Sequence, residues 1–121
     1  MAGKKKILVI DNEIDQLQIM KDILERYGYI AIVSDDWQKA MTALMNDNYD
    51  LVISDLIMPD IEGPELCEKI KALYPGTKVL AFSGHIGLYG REKLKRSGFD
   101  GVIHKPLSIS DVRRKVKEAI K

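Results

Sequence analysis

The chain contains a single cysteine among 121 residues, so no internal disulfide is available. The place of Cys67 beside Leu66 and Ile70 in a helical pattern predicts ordinary packing in a reducing compartment. Long apolar runs are also missing. Lys4, Lys5 and Lys6 precede only four apolar residues, Ile7 to Ile10, before Asp11 interrupts them, which is too short for a signal-peptide core or a membrane span. A cytoplasmic protein is expected. No excess of one charge exists: 19 Lys and Arg stand against 18 Asp and Glu, a formal charge of +1, so nothing global draws the chain to nucleic acid or an anionic membrane. Nucleotide binding is disfavoured because no P-loop follows the first apolar run and Gly84, Gly87 and Gly90 lack the dinucleotide spacing. His85 and His104 have no partner at zinc-ligand spacing. Repeats, linkers and low-complexity tracts are absent, and the length suits one domain with a real core.

What remains is an alternation of short apolar runs with longer amphipathic segments. Ile7 to Ile10, Tyr29 to Val33, Leu51 to Ile53, Val79 to Phe82 and Gly101 to Ile103 read as five strands. Between them, Leu17, Met20, Leu24 and Tyr27 recur at helical spacing, as do Trp37, Ala40, Met41 and Leu44, and then Leu66, Ile70 and Leu73. Pro64 suits a first helical turn after Gly63, and Ser108-x-x-Asp111 opens a last helix through Val112, Val116 and Ile120. The fourth helix is weakly marked, because the stretch from Gly84 to Gly90 is glycine-rich and only Arg91 to Ser97 looks helical. Alternating strands and helices imply an α/β fold: a doubly wound parallel sheet with right-handed crossovers and helices on both faces.

In such a sheet the strand C-terminal ends share one edge, where open α/β folds bind ligands. The sequence sends Asp11, Asn12 and Glu13 there after strand one, Asp55 after strand three, Ser83 and Gly84 after strand four, and Lys105 after strand five. Acids so gathered repel unless a cation sits among them, and an oxygen-only donor set suits Mg²⁺, with Mn²⁺ as a substitute. Lys105 would neutralise an added anion, the Ser83 hydroxyl would hydrogen-bond phosphoryl oxygens, and Asp55 is a carboxylate able to attack phosphorus. Each residue alone has an ordinary explanation as a cap, strand end or loop residue. Their joint placement does not.

The motifs Ile-Leu-Val-Ile-Asp11, Asp55-x-x-Met58-Pro59-x-x-x-Gly63, Val-Leu-Ala-Phe-Ser83-Gly84 and Lys105-Pro106 resemble the response-regulator receiver domain of two-component signalling, within the CheY-like superfamily, from about Lys5 to the C-terminus. The resemblance implies a flavodoxin-like sheet of strand order 2-1-3-4-5 and a single receiver domain over residues 1–121 without an output domain. It implies Asp55 as phospho-acceptor, Asp11 and Asp55 as Mg²⁺ ligands with the Ile57 carbonyl as backbone ligand, Ser83 as switch hydroxyl and Lys105 as partner of the phosphoryl group. A sensor histidine kinase or phosphotransfer protein would be the donor, and a downstream protein would dock on the face of helix 4, strand 5 and helix 5. The chain would be a phosphorelay component and not an enzyme beyond its own phosphorylation and dephosphorylation, with no membrane and no direct nucleic-acid partner.

Two positions depart from the family pattern. The second acid after strand one, normally a direct metal ligand, is Asn12 here, which keeps an oxygen but lacks the charge and predicts weakened metal binding. Three residues before Lys105, many receivers carry a switching Tyr or Phe, and this chain has Val102. The alternative reading is therefore a receiver-like interaction module that barely depends on phosphate. A Mg²⁺-dependent phosphohydrolase would want a second Asp two residues after Asp55, where Ile57 stands. In the resembled family the residues two beyond the acceptor and two beyond the switch hydroxyl, here Ile57 and His85, flank the attacking water, and the apolar Ile57 predicts slow loss of phosphate. The basic residues Arg113, Arg114, Lys115 and Lys117 read as solvated charge near a helix C-terminus.

Overall fold

Every apolar run named above becomes a strand of one parallel sheet, and every amphipathic segment a helix. The fold was obtained as a computed structural model, which describes residues 3–84, 86–105 and 108–120. His85, and Pro106 of the Lys105-Pro106 pair, lie outside the described residues. In chain order the elements are β1 (Lys6–Ile10), α1 (Ile14–Arg26), β2 (Ile30–Ser34), α2 (Trp37–Asn46), β3 (Leu51–Asp55), α3 (Gly63–Leu73), β4 (Lys78–Ser83), α4 (Gly90–Ser97), β5 (Gly101–His104) and α5 (Ile109–Ile120), with a 3-10 turn at Ile86–Leu88 before α4. The sheet order is β2-β1-β3-β4-β5, all parallel, as the doubly wound reading required.

Because helices cover both faces, the central strands are apolar at consecutive positions, and the pleat sends alternate residues to opposite sides. Leu8, Ile10, Val52, Val79 and Ala81 pack under α2, α3 and α4 with Leu44, Leu66, Ile70 and Leu94. Ile7, Val9, Leu51, Ile53, Leu80 and Phe82 pack under α1 and α5 with Leu17, Met20, Leu24, Val112 and Val116. Helix starts follow local chemistry. The Asp36 carboxylate accepts the Gln38 and Lys39 N–H groups at the start of α2, Pro64 lies in the first turn of α3, and Ser108 Oγ accepts the Asp111 N–H at 3.4 Å before α5. The helix α4 ends at Gly98, whose φ of +107° places it in the left-handed region that closes a helix C-terminus.

The strands run further toward the ligand edge than the apolar runs suggested. Asp55, Ser83 and His104 still belong to the ladder, paired through Asp55↔Phe82 and Ser83↔His104. Parallel pairing is a backbone property, so it continues past the last apolar side chain wherever a neighbour strand remains. One register detail sets up the site. Ile10 pairs with Ser54, so Asp11 and Asp55 follow on adjacent strands at one height, flanking the place where the strand order reverses.

Candidate functional site

Asp11 and Asp55 leave the sheet with buried side chains, Asp11 wholly and Asp55 to within 4% exposure. Neither carboxylate has free access to water, so each depends on fixed donors. Asp11 Oδ1 accepts the Glu13 N–H at 2.9 Å, and Asp11 Oδ2 lies 3.3 Å from Lys105 Nζ. Asp55 Oδ1 accepts the Ile57 N–H at 3.4 Å, while its Oδ2 lies 3.9 Å from Lys105 Nζ. Burial, followed by repulsion from Asp11, raises the Asp55 carboxyl to about 6, although Lys105 and the Ile57 N–H pull the other way. The site therefore holds a carboxylate that is costly to ionise without a counter-charge.

Lys105 supplies part of that counter-charge from the end of β5. Its ammonium also stands 4.0 Å from Glu13 Oε1 and 4.7 Å from the centroid of the Phe82 ring. The Lys105 N–H donates to the Ser83 carbonyl at 3.2 Å, tying the two loop residues together, and Ser83 itself is wholly buried. The turn after Asp55 is equally constrained. The Gly63 N–H donates to the Leu56 carbonyl at 2.9 Å, and Ile57 bridges to Glu62, so residues 56–62 close on themselves. A side chain at Gly63 has no room, because a Cβ there would lie 2.6 Å from Leu56 Cα. Ile57, two residues beyond Asp55, is 41% exposed.

The structure brings together Asp11, Glu13, Asp55 and Lys105, all of which the sequence sends to this edge. Oxygens of Asp11, Glu13 and Asp55 all lie within 4.8 Å of one another. Asn12, read above as the weakened ligand, is exposed. The signal for Glu13 was the Asp11-x-Glu13 spacing: an Asp side chain accepting the N–H two residues on makes an Asx turn, which folds residue 13 back over residue 11. The donor set is all oxygen and mostly anionic, which fits a hard divalent cation such as Mg²⁺ or Mn²⁺. Val102 packs half-buried against the core beside Leu94 and Phe99, in a groove also lined by Arg91, Lys95 and Lys115. Cys67 is buried and its thiol pushed up to about 12 by desolvation, so it is inert. No helix among the described residues is long and apolar enough to cross a membrane.

Comparison with known proteins points to one family. The profile of the response regulator receiver domain matches residues 7–117. The transcriptional regulatory protein for alkaline phosphatase synthesis, PhoP, of Bacillus subtilis is 29% identical over 97% of this chain and 49% of its own length. ResD of the same organism is 29% identical over 99% and 50%, so the chain spans about half the length of these relatives. Among solved structures, a receiver domain protein of Methanospirillum hungatei is 31% identical, with a TM-score of 0.92 over 98% of this chain and 94% of that one. A chemotaxis protein of Vibrio cholerae, 22% identical with a TM-score of 0.92 over 97% and 99%, shares the fold.

Proposed function

The chain belongs to the response regulator receiver family, and on that footing we propose that Asp55 accepts a phosphoryl group from a phosphohistidine on a sensor kinase or phosphotransfer protein. The observation that carries this reading is the position of Asp55: a buried carboxylate at the strand edge, within 4.8 Å of two other carboxylates and 3.9 Å from an ammonium. A carboxylate oxygen of Asp55 attacks phosphorus. The nitrogen–phosphorus bond of the donor breaks with its electron pair returning to the imidazole, and an acyl phosphate forms on Asp55. Lys105 stays beside the site as counter-charge to the added phosphoryl oxygens, and the Ser83 hydroxyl is the neighbouring donor one strand away.

Asp11, Asp55 and the Ile57 carbonyl would hold a divalent cation, with Asn12 offering only a neutral oxygen. When bound, Mg²⁺ supplies charge neutralisation of the phosphoryl group and the acids. The chemistry is confined to gaining and losing this group, so the chain acts as a switch and not as an enzyme on a separate substrate. Output would pass through the face of α4, β5 and α5, where Arg91, Lys95 and Lys115 surround an apolar floor of Leu94, Phe99 and Val102. Such a face suits an acidic protein segment better than a membrane or a nucleic acid that would want a continuous basic surface. Because Val102 stands where an aromatic would swing, movement of the loop after β4 would carry the signal instead. A cytoplasmic place of action follows from this reading.

Asn12 favours one second reading, a receiver-like interaction module that works without phosphate. Intact mass after incubation with Mg²⁺ and a small acyl phosphate separates the two. One added phosphoryl group, absent from Asp55→Asn, supports the first; no gain of mass supports the second, and modification mapped to another carboxylate removes Asp55 from the centre.

A further inference from the structure

With Asn12 in place of the second acid, a dication between β1 and β3 would face the carboxylates of Asp11 and Asp55 only. The structure shows a third anion on the same spot. A Glu13 oxygen lies within 4.8 Å of oxygens of both Asp11 and Asp55, and Glu13 Oε1 approaches the same ammonium, Lys105 Nζ, that pairs with those two. Glu13 stands at the N-cap of α1, yet its side chain makes no capping hydrogen bond. Its carboxylate is thus turned to the cluster and not to its own helix. Three carboxylates this close repel one another, and one ammonium offsets only part of that repulsion.

We propose that Glu13 supplies the anionic oxygen that Asn12 lacks, so that the divalent cation of this receiver is held by Asp11, Glu13 and Asp55. This rests on the receiver reading above and concerns which residues of this chain carry it. The distances permit it. Oxygens around an octahedral Mg²⁺ at 2.0–2.1 Å lie about 3 Å apart when adjacent and about 4.2 Å when opposite, so donors now within 4.8 Å of one another need draw in by up to about 2 Å, which side-chain rotation supplies. The relocation has a physical consequence. The Glu13 side chain is 63% exposed and one methylene longer than Asp, so holding it on the metal costs more rotamer freedom than a buried Asp at position 12 would. The cation is accordingly held at the rim, by a ligand that also opens the first turn of α1, and it exchanges more readily.

The test is a double-mutant cycle on the whole chain, with Mg²⁺ affinity read by calorimetry and by displacement of Mn²⁺ in electron paramagnetic resonance. The four proteins are the parent, Asn12→Asp, Glu13→Gln and the double variant. Glu13→Gln weakens Mg²⁺ binding at least about fivefold in the parent, and at least about threefold less than that once Asn12→Asp has restored an acid beside it. A smaller loss in the parent, or an equal loss in both backgrounds, overturns the proposal, since equal losses mean a general charge effect. If the parent binds Mg²⁺ while Glu13→Gln is neutral, only this assignment falls. If the parent binds no Mg²⁺ at millimolar concentration, the metal dependence of the receiver reading falls with it.

Discussion

Lys105 Nζ stands 3.9 Å from Asp55 Oδ2, although β4 lies between the strands from which the two side chains come. Two strand spacings are about 9.6 Å, which the extended lysine side chain, the aspartate side chain and the 3.9 Å gap between them together span. At this distance the ammonium attracts the carboxylate without a hydrogen bond to it, leaving one Asp55 oxygen unclamped for attack on phosphorus.

Removing that ammonium tests the relationship. Lys105 holds the Asp55 carboxyl down against burial and Asp11. Lys105→Met therefore raises the Asp55 titration above about 6 and lowers the ionised fraction near neutrality. Phosphorylation by a small acyl phosphate is expected to slow by about tenfold or more, with the pH profile displaced upward. An unshifted profile would separate Lys105 from the acceptor.

Asp55 also links stability to pH. Its folded pKa, about 6, lies above the ordinary 3.8, so the native state binds this proton more tightly than the unfolded chain does. The charged group then costs stability, nothing below about pH 4 and fully above about pH 6. Asp55→Asn is expected to stabilise the metal-free protein by about 1–3 kcal/mol at pH 7.5. The gain disappears near pH 4, and Mg²⁺ narrows it by offsetting the same repulsion in the parent. Urea denaturation of both proteins at the two pH values, with and without the metal, reads all of this.

Gly63 is the hinge of the turn that carries Ile57. With a Cβ 2.6 Å from Leu56 Cα, Gly63→Ala must push backbone against backbone. A loss of about 2–4 kcal/mol is expected in denaturant unfolding, with weaker Mg²⁺ binding in whatever remains folded because the Ile57 carbonyl moves with the turn. A loss below about 0.5 kcal/mol would show the turn to be more adaptable than its packing indicates.

The side chain of Ile57, two residues beyond the acceptor, offers no hydrogen bond to a water and is 41% exposed. We expect the acyl phosphate to be shielded and long-lived. Ile57→Asn, which can orient a water, is expected to lose phosphate several-fold faster at equal Mg²⁺ saturation, roughly the effect of positioning one nucleophile. Equal or slower decay, followed by intact mass, would end the shielding argument and direct attention to His85.

The five strands were legible from the order of apolar residues because both faces of this sheet are covered. Ile7 to Ile10 and Leu51 to Ile53 must then be apolar throughout, and no other element gives so short an uninterrupted run. The weakly marked α4 was also placed within one residue of its start, Gly90 against Arg91, its short apolar face giving only Leu94 and Ser97 to the interior. The gathering of Asp11, Asp55, Ser83 and Lys105 followed from topology, since parallel strands share an edge. Asn12 and Glu13 could not be ranked that way. Both follow β1, and the approach of Glu13 to Asp55 depends on a turn made by the Asp11 side chain, which no periodicity encodes.

The chain's residues by themselves determined the order of elements, the parallel sheet and the set of side chains delivered to its edge, because strand and helix periods and chain connectivity are local properties that survive any detail of packing. Tertiary structure alone decided that Asp55 is buried and hard to ionise, that Lys105 reaches across β4 to it, and that a Glu13 oxygen comes within 4.8 Å of the two aspartates. Those are matters of electrostatic environment and of distances of a few ångströms, and they exist only once the helices have closed over the sheet and excluded water from its edge.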